Sequence, residues 1–440
     1  MIYGCRYERL PRGEESHEYN AGATPRRLVV TSLARHKQVF GHGAPLFYDE
    51  PIELVGGEGV WLFDSDGRRY LDAYNNVPCV GHANPRVVAA VSAQMATLQV
   101  HGRYVHGLVV DYAERLAALH AEPLSALVFA CSGTEADEVA MTMARLATGN
   151  RGFITSEAAY HGNNTDVGRL NDIGGRVGAG KPVDPEVRGV PLPDGSRRFV
   201  DGVADAIRSL DEAGIGVAAV LMCSILANEG LPPLAAGEMA EVVELVHAAG
   251  GLMIADEVQA GFARSGCWWG YEYSGFEPDI AVMGKPMGAG IPFSGVVAAA
   301  ELVDRFRSST RYFNTFAATP VQAAAGMAVI DVIEDEGLLD QIPRVGDHLA
   351  ASLREMGVTD RLGEVRNVGL FVGADWLDHD GGPDGEGARA IVNAARQAGV
   401  LIGLDGPHGH VLKLRPPLVF SMADADHLLD VMSLVLAAAK

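Results

Sequence analysis

Residues Asp279 to Gly290 read DIAVMGKPMGAG, a short apolar run that ends in Lys285 immediately before Pro286. Lysine is a poor strand-core residue, so it is either a surface cap or a group placed for chemistry. Upstream, LMIADEVQAGFARSG is a second apolar run, closing on two carboxylates, Asp256 and Glu257. Further back, ALVFA is followed by CSGTEADE, small residues that open a helical pattern. Open α/β sheets bind their ligands at such strand ends.

Around these junctions, apolar runs of four to seven residues alternate with longer helical patterns. The expected strands are 126–130, 152–155, 217–222, 251–256, 279–283 and 294–299. Between them, EADEVAMTMARLAT and AGEMAEVVELVHAAG carry apolar residues at helical spacing and stop at Gly or Asn, as helices do. This alternation predicts an α/β fold with a mainly parallel sheet flanked by helices. GVWLFDSDGRRYLDAY reads as a hairpin turning at Asp-Gly. VRNVGLFVGADWL and VLKLRPPLVF read as strands among the helices of the tail. Residues 164–193 show no period and read as a long excursion near the mouth of a site. The expected organisation is an N-terminal arm with part of a small domain (1–75), a large domain (76–320) and the C-terminal part of the small domain (321–440).

Composition limits the function. The 440 residues are 48% hydrophobic and 21% charged, a globular composition with material for a large buried site. A formal charge of -21 disfavours nucleic acid and anionic lipid as partners. No apolar run is long enough to span a bilayer, so small molecules are the expected partners. The opening segment lacks the apolar run of a secretory signal and reads as a polar arm, which predicts a cytoplasmic protein. Five scattered cysteines, Cys5, Cys79, Cys131, Cys223 and Cys267, have neither disulfide nor zinc-ligand spacing. Idle or buried thiols and no metal are expected.

Each chemical signal has a plain alternative. Ser132-Gly133-Thr134 ahead of a helix is a phosphate seat or a simple N-cap. Asp256 pairs with a surface base, or it holds a ring nitrogen protonated. Lys285 is a cap, or a desolvated amine able to form a Schiff base. In this order the three are the handles for pyridoxal 5'-phosphate.

The motifs SGTEADE, AYHGN, IADEVQAGFARSG, VMGKPMGAG and NTFAATP occur in the order and spacing of the class III (omega) aminotransferases. The chain therefore resembles these fold type I pyridoxal phosphate enzymes from about Leu46 onward, and looks most like the alanine–glyoxylate aminotransferase 2-like branch. The resemblance implies that Lys285 is the Schiff base lysine and proton shuttle, and that Asp256 pairs with the pyridinium nitrogen. It places Val258 under the ring, Gln259 near the ring hydroxyl, and Tyr160 stacked on the ring. Gly133 and Thr134 would hold the phosphate, beside the hydroxyl donor already read at Ser132, with Thr315 reaching it from the neighbouring subunit of a homodimer. His161 is an acid or base, or a structural histidine beside a tight turn.

The implied activity moves an amino group from an amine, ω-amino acid or amino acid donor to an oxo-acid acceptor, with pyridoxamine phosphate between the halves. The alternatives are an ammoniophospholyase on the same scaffold and a non-catalytic binding module. Where amino-acid-specific members of the family carry a Glu-Pro motif, this chain has Cys223 and Ser224, with Glu229 further on. Lys413 stands where the paired arginine is expected, and Arg415 lies beside the prolines. Lys413, Arg415 and Glu229 are thus the candidate substrate contacts; the alternative for the two bases is a solvated strand face.

Overall fold

A computed structural model describes residues 32–171, 184–193, 197–356 and 359–439. Residues 1–47 form one unit, whose described part carries the helix Ser32–Phe40, and residues 48–440 form a second. The opening polar arm, and Cys5 with it, lies outside the described residues.

In the second unit the strands are, in chain order, β1 (Leu54–Glu58), β2 (Trp61–Asp64), β3 (Arg69–Asp72), β4 (Ala126–Ala130), β5 (Gly152–Ser156), β6 (Val187–Val190), β7 (Val217–Cys223), β8 (Leu252–Asp256), β9 (Ile280–Met283), β10 (Ser294–Ala298), β11 (Leu362–Val368), β12 (Phe371–Trp376), β13 (Val400–Leu401), β14 (Gly403–Asp405) and β15 (Val411–Leu414). The central sheet runs β4-β10-β9-β8-β7-β5-β6. It is parallel from β9 to β6, while β10 runs antiparallel to both of its neighbours. Its inner strands are apolar along their length because helices cover both faces: every residue of β7 and β9 is buried.

Two four-stranded sheets complete the unit. In one, β1, β2 and β3 from near the start of the chain pair through β3 with β13, near residue 400. The other is β11-β12-β15-β14. The Asp-Gly hairpin forms between β2 and β3, and Asp64 Oδ1 holds its turn by accepting the amides of Asp66 and Arg68.

Three elements depart from the sequence reading. The excursion at 164–193 contains ordered elements among its described residues: a 3-10 turn at Val167–Leu170, and β6, which is the sheet edge paired with β5. Arg169 ties them together through Asp166, Asp184 and Glu186. VRNVGLFVGADWL is a hairpin rather than one strand, because Gly369 reverses the chain at φ +51. A Cβ there would lie 2.4 Å from the Arg264 carbonyl oxygen, a close approach that glycine permits. In VLKLRPPLVF the strand stops at Leu414, before the two prolines. No helix among the described residues is long and apolar enough to cross a membrane. Four cysteines are free thiols: Cys79 and Cys223 are buried, Cys131 and Cys267 partly so.

Candidate active site

The C-terminal ends of β4, β5, β8 and β9 converge on a cavity of about 310 Å³. Nine of the residues singled out in the sequence line it: Ser132, Gly133, Thr134, Tyr160, His161, Asp256, Val258, Gln259 and Lys285. Cys131, Gly162 and Cys223 line it too.

One wall is the start of the helix Gly133–Thr148, whose first N–H groups have no partner within the helix. The Ser132 hydroxyl caps it, accepting the Glu135 amide at 3.3 Å. The Glu135 carboxylate in turn accepts the Cys131 amide at 2.7 Å. Glycine is needed here. A Cβ on Gly162 would sit 2.6 Å from the Thr134 hydroxyl, and one on Gly133 would meet Val258 at 3.1 Å.

The floor is the end of β8. Asp256 is 5% exposed; its Oδ1 accepts the Val258 amide at 2.9 Å, and its Oδ2 lies 2.7 Å from His161 Nδ1. The far nitrogen of His161, Nε2, lies 3.1 Å from the Thr155 hydroxyl. This geometry pairs His161 with Asp256 on one side and Thr155 on the other. Lys285 stands just past β9, where Gly284 turns the chain into a short 3-10 segment. Burial lowers its pKa, Arg415 lowers it further, and Asp256, Cys223 and Asp137 oppose them. A neutral amine is the nucleophilic form.

Lys413, Arg415, Glu229 and Thr315 do not line the cavity. Lys413 and Arg415 are buried behind Gln259, whose side-chain oxygen receives Lys413 at 3.4 Å and also Arg415. The reading of these bases as a solvated strand face does not hold: Lys413 is 4% and Arg415 5% exposed, and every residue of β15 is buried. Gln259 spends an N–H on Asn228 at 2.7 Å, and Asn228 reaches the Tyr160 carbonyl at 3.2 Å. Lys413 is paired with Asp405 at 2.5 Å. Arg415 donates to the Tyr74 carbonyl at 3.2 Å and stacks over the Tyr74 ring at 5.0 Å. A third buried cation, Arg264, donates to the carbonyls of Leu370 and Pro416 and to Asn76. Glu229 is buried under Ser156, which donates to it, and burial raises its pKa. Thr315 is exposed on the single chain.

Sequence reasoning missed Asp137, Asn228 and Asp405. A signal for Asp137 was present: it shares a helix stripe with Ala140, Met141 and Ala144, where an acid is out of place. Asn228 and Asp405 gave none, because their partners are distant in sequence.

A helix start lined by small residues, a buried acid and a desolvated lysine in one cavity fit pyridoxal 5'-phosphate, which needs an anion seat, a partner for its ring nitrogen and an amine for its aldehyde. Comparison with known proteins agrees. The chain is 36% identical to an alanine–glyoxylate aminotransferase 2-like protein of Drosophila melanogaster, over 94% of this chain and 88% of that one. It is 33% identical to ethanolamine-phosphate phospho-lyase homolog 1 of Caenorhabditis elegans, over 88% and 89%. A phospholyase from Arthrobacter, solved in complex with phosphoethanolamine, superposes with a TM-score of 0.88 at 41% identity, covering 92% of this chain and 99% of that one. Residues 48–436 match the family Aminotransferase class-III, and the chain belongs to that family of fold type I enzymes, with pyridoxal 5'-phosphate as its cofactor.

Proposed function

We propose that the enzyme eliminates ammonia and phosphate from a phosphorylated amino alcohol of the phosphoethanolamine type. The observation that carries this reading is the charge behind Gln259. Three buried cations, Lys413, Arg415 and Arg264, stand near two carboxylates, Asp405 and Asp72, and Asp72 already holds His82 at 2.7 Å. Among the described residues Arg415 and Arg264 have no carboxylate ion-pair partner, whereas Lys413 is paired with Asp405. Buried positive charge in excess suits a dianionic phosphate, and guanidinium donors suit its oxygens. The Arthrobacter phospholyase and the nematode phospho-lyase homolog, by their names, support the same reading.

Lys285 would hold the cofactor and remove the proton from the amine-bearing carbon, and Asp256 would pair with the ring nitrogen. Gly133 and Thr134, with the helix start and Ser132, seat the cofactor phosphate. Val258, Tyr160 and Gln259, which line the same cavity, would hold the ring of the cofactor. Bound pyridoxal phosphate supplies an electron sink for the carbon that loses its proton. The C–H bond breaks, the C–O bond to phosphate breaks, and the phosphate leaves toward Arg415 and Lys413. Water then releases ammonia and leaves a carbonyl product. Thr315, exposed and outside the cavity, is assigned to the site of a second copy, which makes a homodimer the working unit.

The second reading is amino transfer from an amine or amino acid to an oxo acid, favoured by the aminotransferase names among the relatives. The two separate in one assay. The holoenzyme is given phosphoethanolamine without an oxo acid, and phosphate, ammonia and aldehyde are measured. Equal release of all three over many turnovers is expected. No phosphate release, together with amino transfer that requires pyruvate or glyoxylate, would establish the second reading instead.

A further inference from the structure

The proposed chemistry gives no task to Asp137. Its side chain leaves the helix Gly133–Thr148 toward the end of β8 and is fully buried. Neither of its oxygens has a hydrogen-bond partner among the described residues. One of them lies within 4.8 Å of both a His161 ring nitrogen and an Asp256 oxygen. We infer that Asp137 is a positioning residue for Asp256: a proton-bearing carboxyl behind the Asp256–His161 pair that leaves Asp256 as the ionised acid of the site.

Three physical arguments support this. An ionised carboxylate buried without hydrogen bonds is costly, whereas a protonated one is tolerable. Two neighbouring carboxylates in a dry site do not both ionise readily. Asp256 is the better placed to keep the charge, since it accepts the Val258 amide and faces His161 Nδ1 at 2.7 Å. With Nδ1 donating to Asp256, His161 Nε2 accepts the Thr155 hydroxyl proton, so a neutral imidazole satisfies both contacts. That pair is closed at hydrogen-bond distance, so a proton rather than a metal ion completes the cluster.

The other groups facing Asp137 agree. Burial, and then Asp256, push its carboxyl well above the ordinary range, and Lys285 opposes them from the end of β9. From β7, the Cys223 thiol is pushed up by burial and by Asp256, so it stays neutral. The ionisation state of Asp137 stands on its surroundings alone; its use in holding the ring nitrogen's partner rests on the cofactor placement proposed above.

The test is an infrared difference spectrum of the holoenzyme at neutral pH, wild type minus Asp137→Asn, repeated with Asp137→Ser so that a folding failure of one leaves the other. Loss of a carboxylic-acid C=O stretch is expected in both. Loss of carboxylate stretches instead would overturn the inference. The positioning role is read from cofactor affinity. Ser leaves a gap behind Asp256 and should weaken affinity about tenfold, while the isosteric Asn restores it; equal affinities for Ser and Asn would overturn that role. Asp256→Asn separates the two layers of argument. A changed cofactor absorption spectrum supports the ring placement, whereas an unchanged one removes that placement, and the positioning role with it, whatever the infrared result for Asp137.

Discussion

The floor of the cavity and the buried layer of cations behind Gln259, which forms an outer rim without lining the cavity, are built on opposite electrostatic plans. On the floor, Asp256 and Lys285 stand at strand ends of the central sheet and Asp137 on the helix packed over it; Asp256 is paired with His161, and burial disfavours charge on Asp137 and Lys285. In the rim, Lys413, Arg415 and Arg264 come from the C-terminal sheet and a loop, and they outnumber their acids. A balanced floor suits a permanent resident, whereas an excess of buried positive charge suits an anion that comes and goes. On the proposed reading, the cofactor belongs to one region and the selection of substrate to the other. It breaks if variants in the two regions give the same phenotype.

The largest effect is expected on the floor. In the proposed mechanism Lys285→Ala removes the amine that holds the cofactor and moves the proton, so turnover should fall by at least about 10³-fold for every substrate tested. The fold should survive, since the change removes a desolvated cation and leaves the Gly284 turn in place. The measurement is steady-state turnover together with a thermal melt. A variant retaining more than a tenth of wild-type turnover would remove Lys285 from the mechanism.

That floor was largely legible in the sequence because each of its residues lies within a contiguous motif at a strand end. DIAVMGK gives its lysine, MIADEVQ its acid and CSGTEA its helix start. The rim was only partly legible. Lys413 and Arg415 stood out as bases, but their burial behind Gln259 depends on contacts spanning more than 150 residues. Asp405, which answers Lys413, belongs to β14, a strand too short to show a period. Asp137 lay in plain view within TEADE, but that its carboxyl faces Asp256 follows only from how the helix packs over β8 and β9. The edge strand β6 was hidden because VRGV is short and carries a charge that bonds to Ser209 on the neighbouring helix.

In the rim, Arg415→Met should distinguish substrates instead of abolishing turnover. Losing a charged donor to a phosphate oxygen costs about 1.5–3 kcal/mol. That corresponds to a roughly 10- to 150-fold drop in kcat/KM for a phosphorylated amine. An amine with no anionic group should show little of this loss. Measuring kcat/KM for both kinds of substrate sharpens the contrast between rim and floor. An equal loss for the two would mean that Arg415 supports the fold through Gln259 and Tyr74 and does not select the substrate.

The smallest effect expected is one of pH, and it isolates Lys413. Burial lowers its pKa to about 8 from an ordinary 10.5, partly offset by Asp405. The charge is therefore complete well below pH 8 and disappears above it. One unit above that value about a tenth of the lysine remains protonated, so kcat/KM for a phosphorylated substrate should fall by up to about tenfold between neutral pH and pH 9. Lys413→Arg keeps its charge throughout and should flatten this fall, although its forked head group fits the Asp405 contact differently. Folding gives a check independent of substrate. A lysine whose folded pKa lies below its unfolded one costs stability at low pH, and the cost is relieved as pH rises from about 8 to 10.5. The wild type should therefore gain stability over that window relative to Lys413→Met, a nearly isosteric variant with no proton to lose. Parallel pH profiles for all three proteins would mean that Lys413 keeps its proton through its bond to Asp405. The rim's excess positive charge would then persist at alkaline pH, and the decline of activity would have to be sought on the floor.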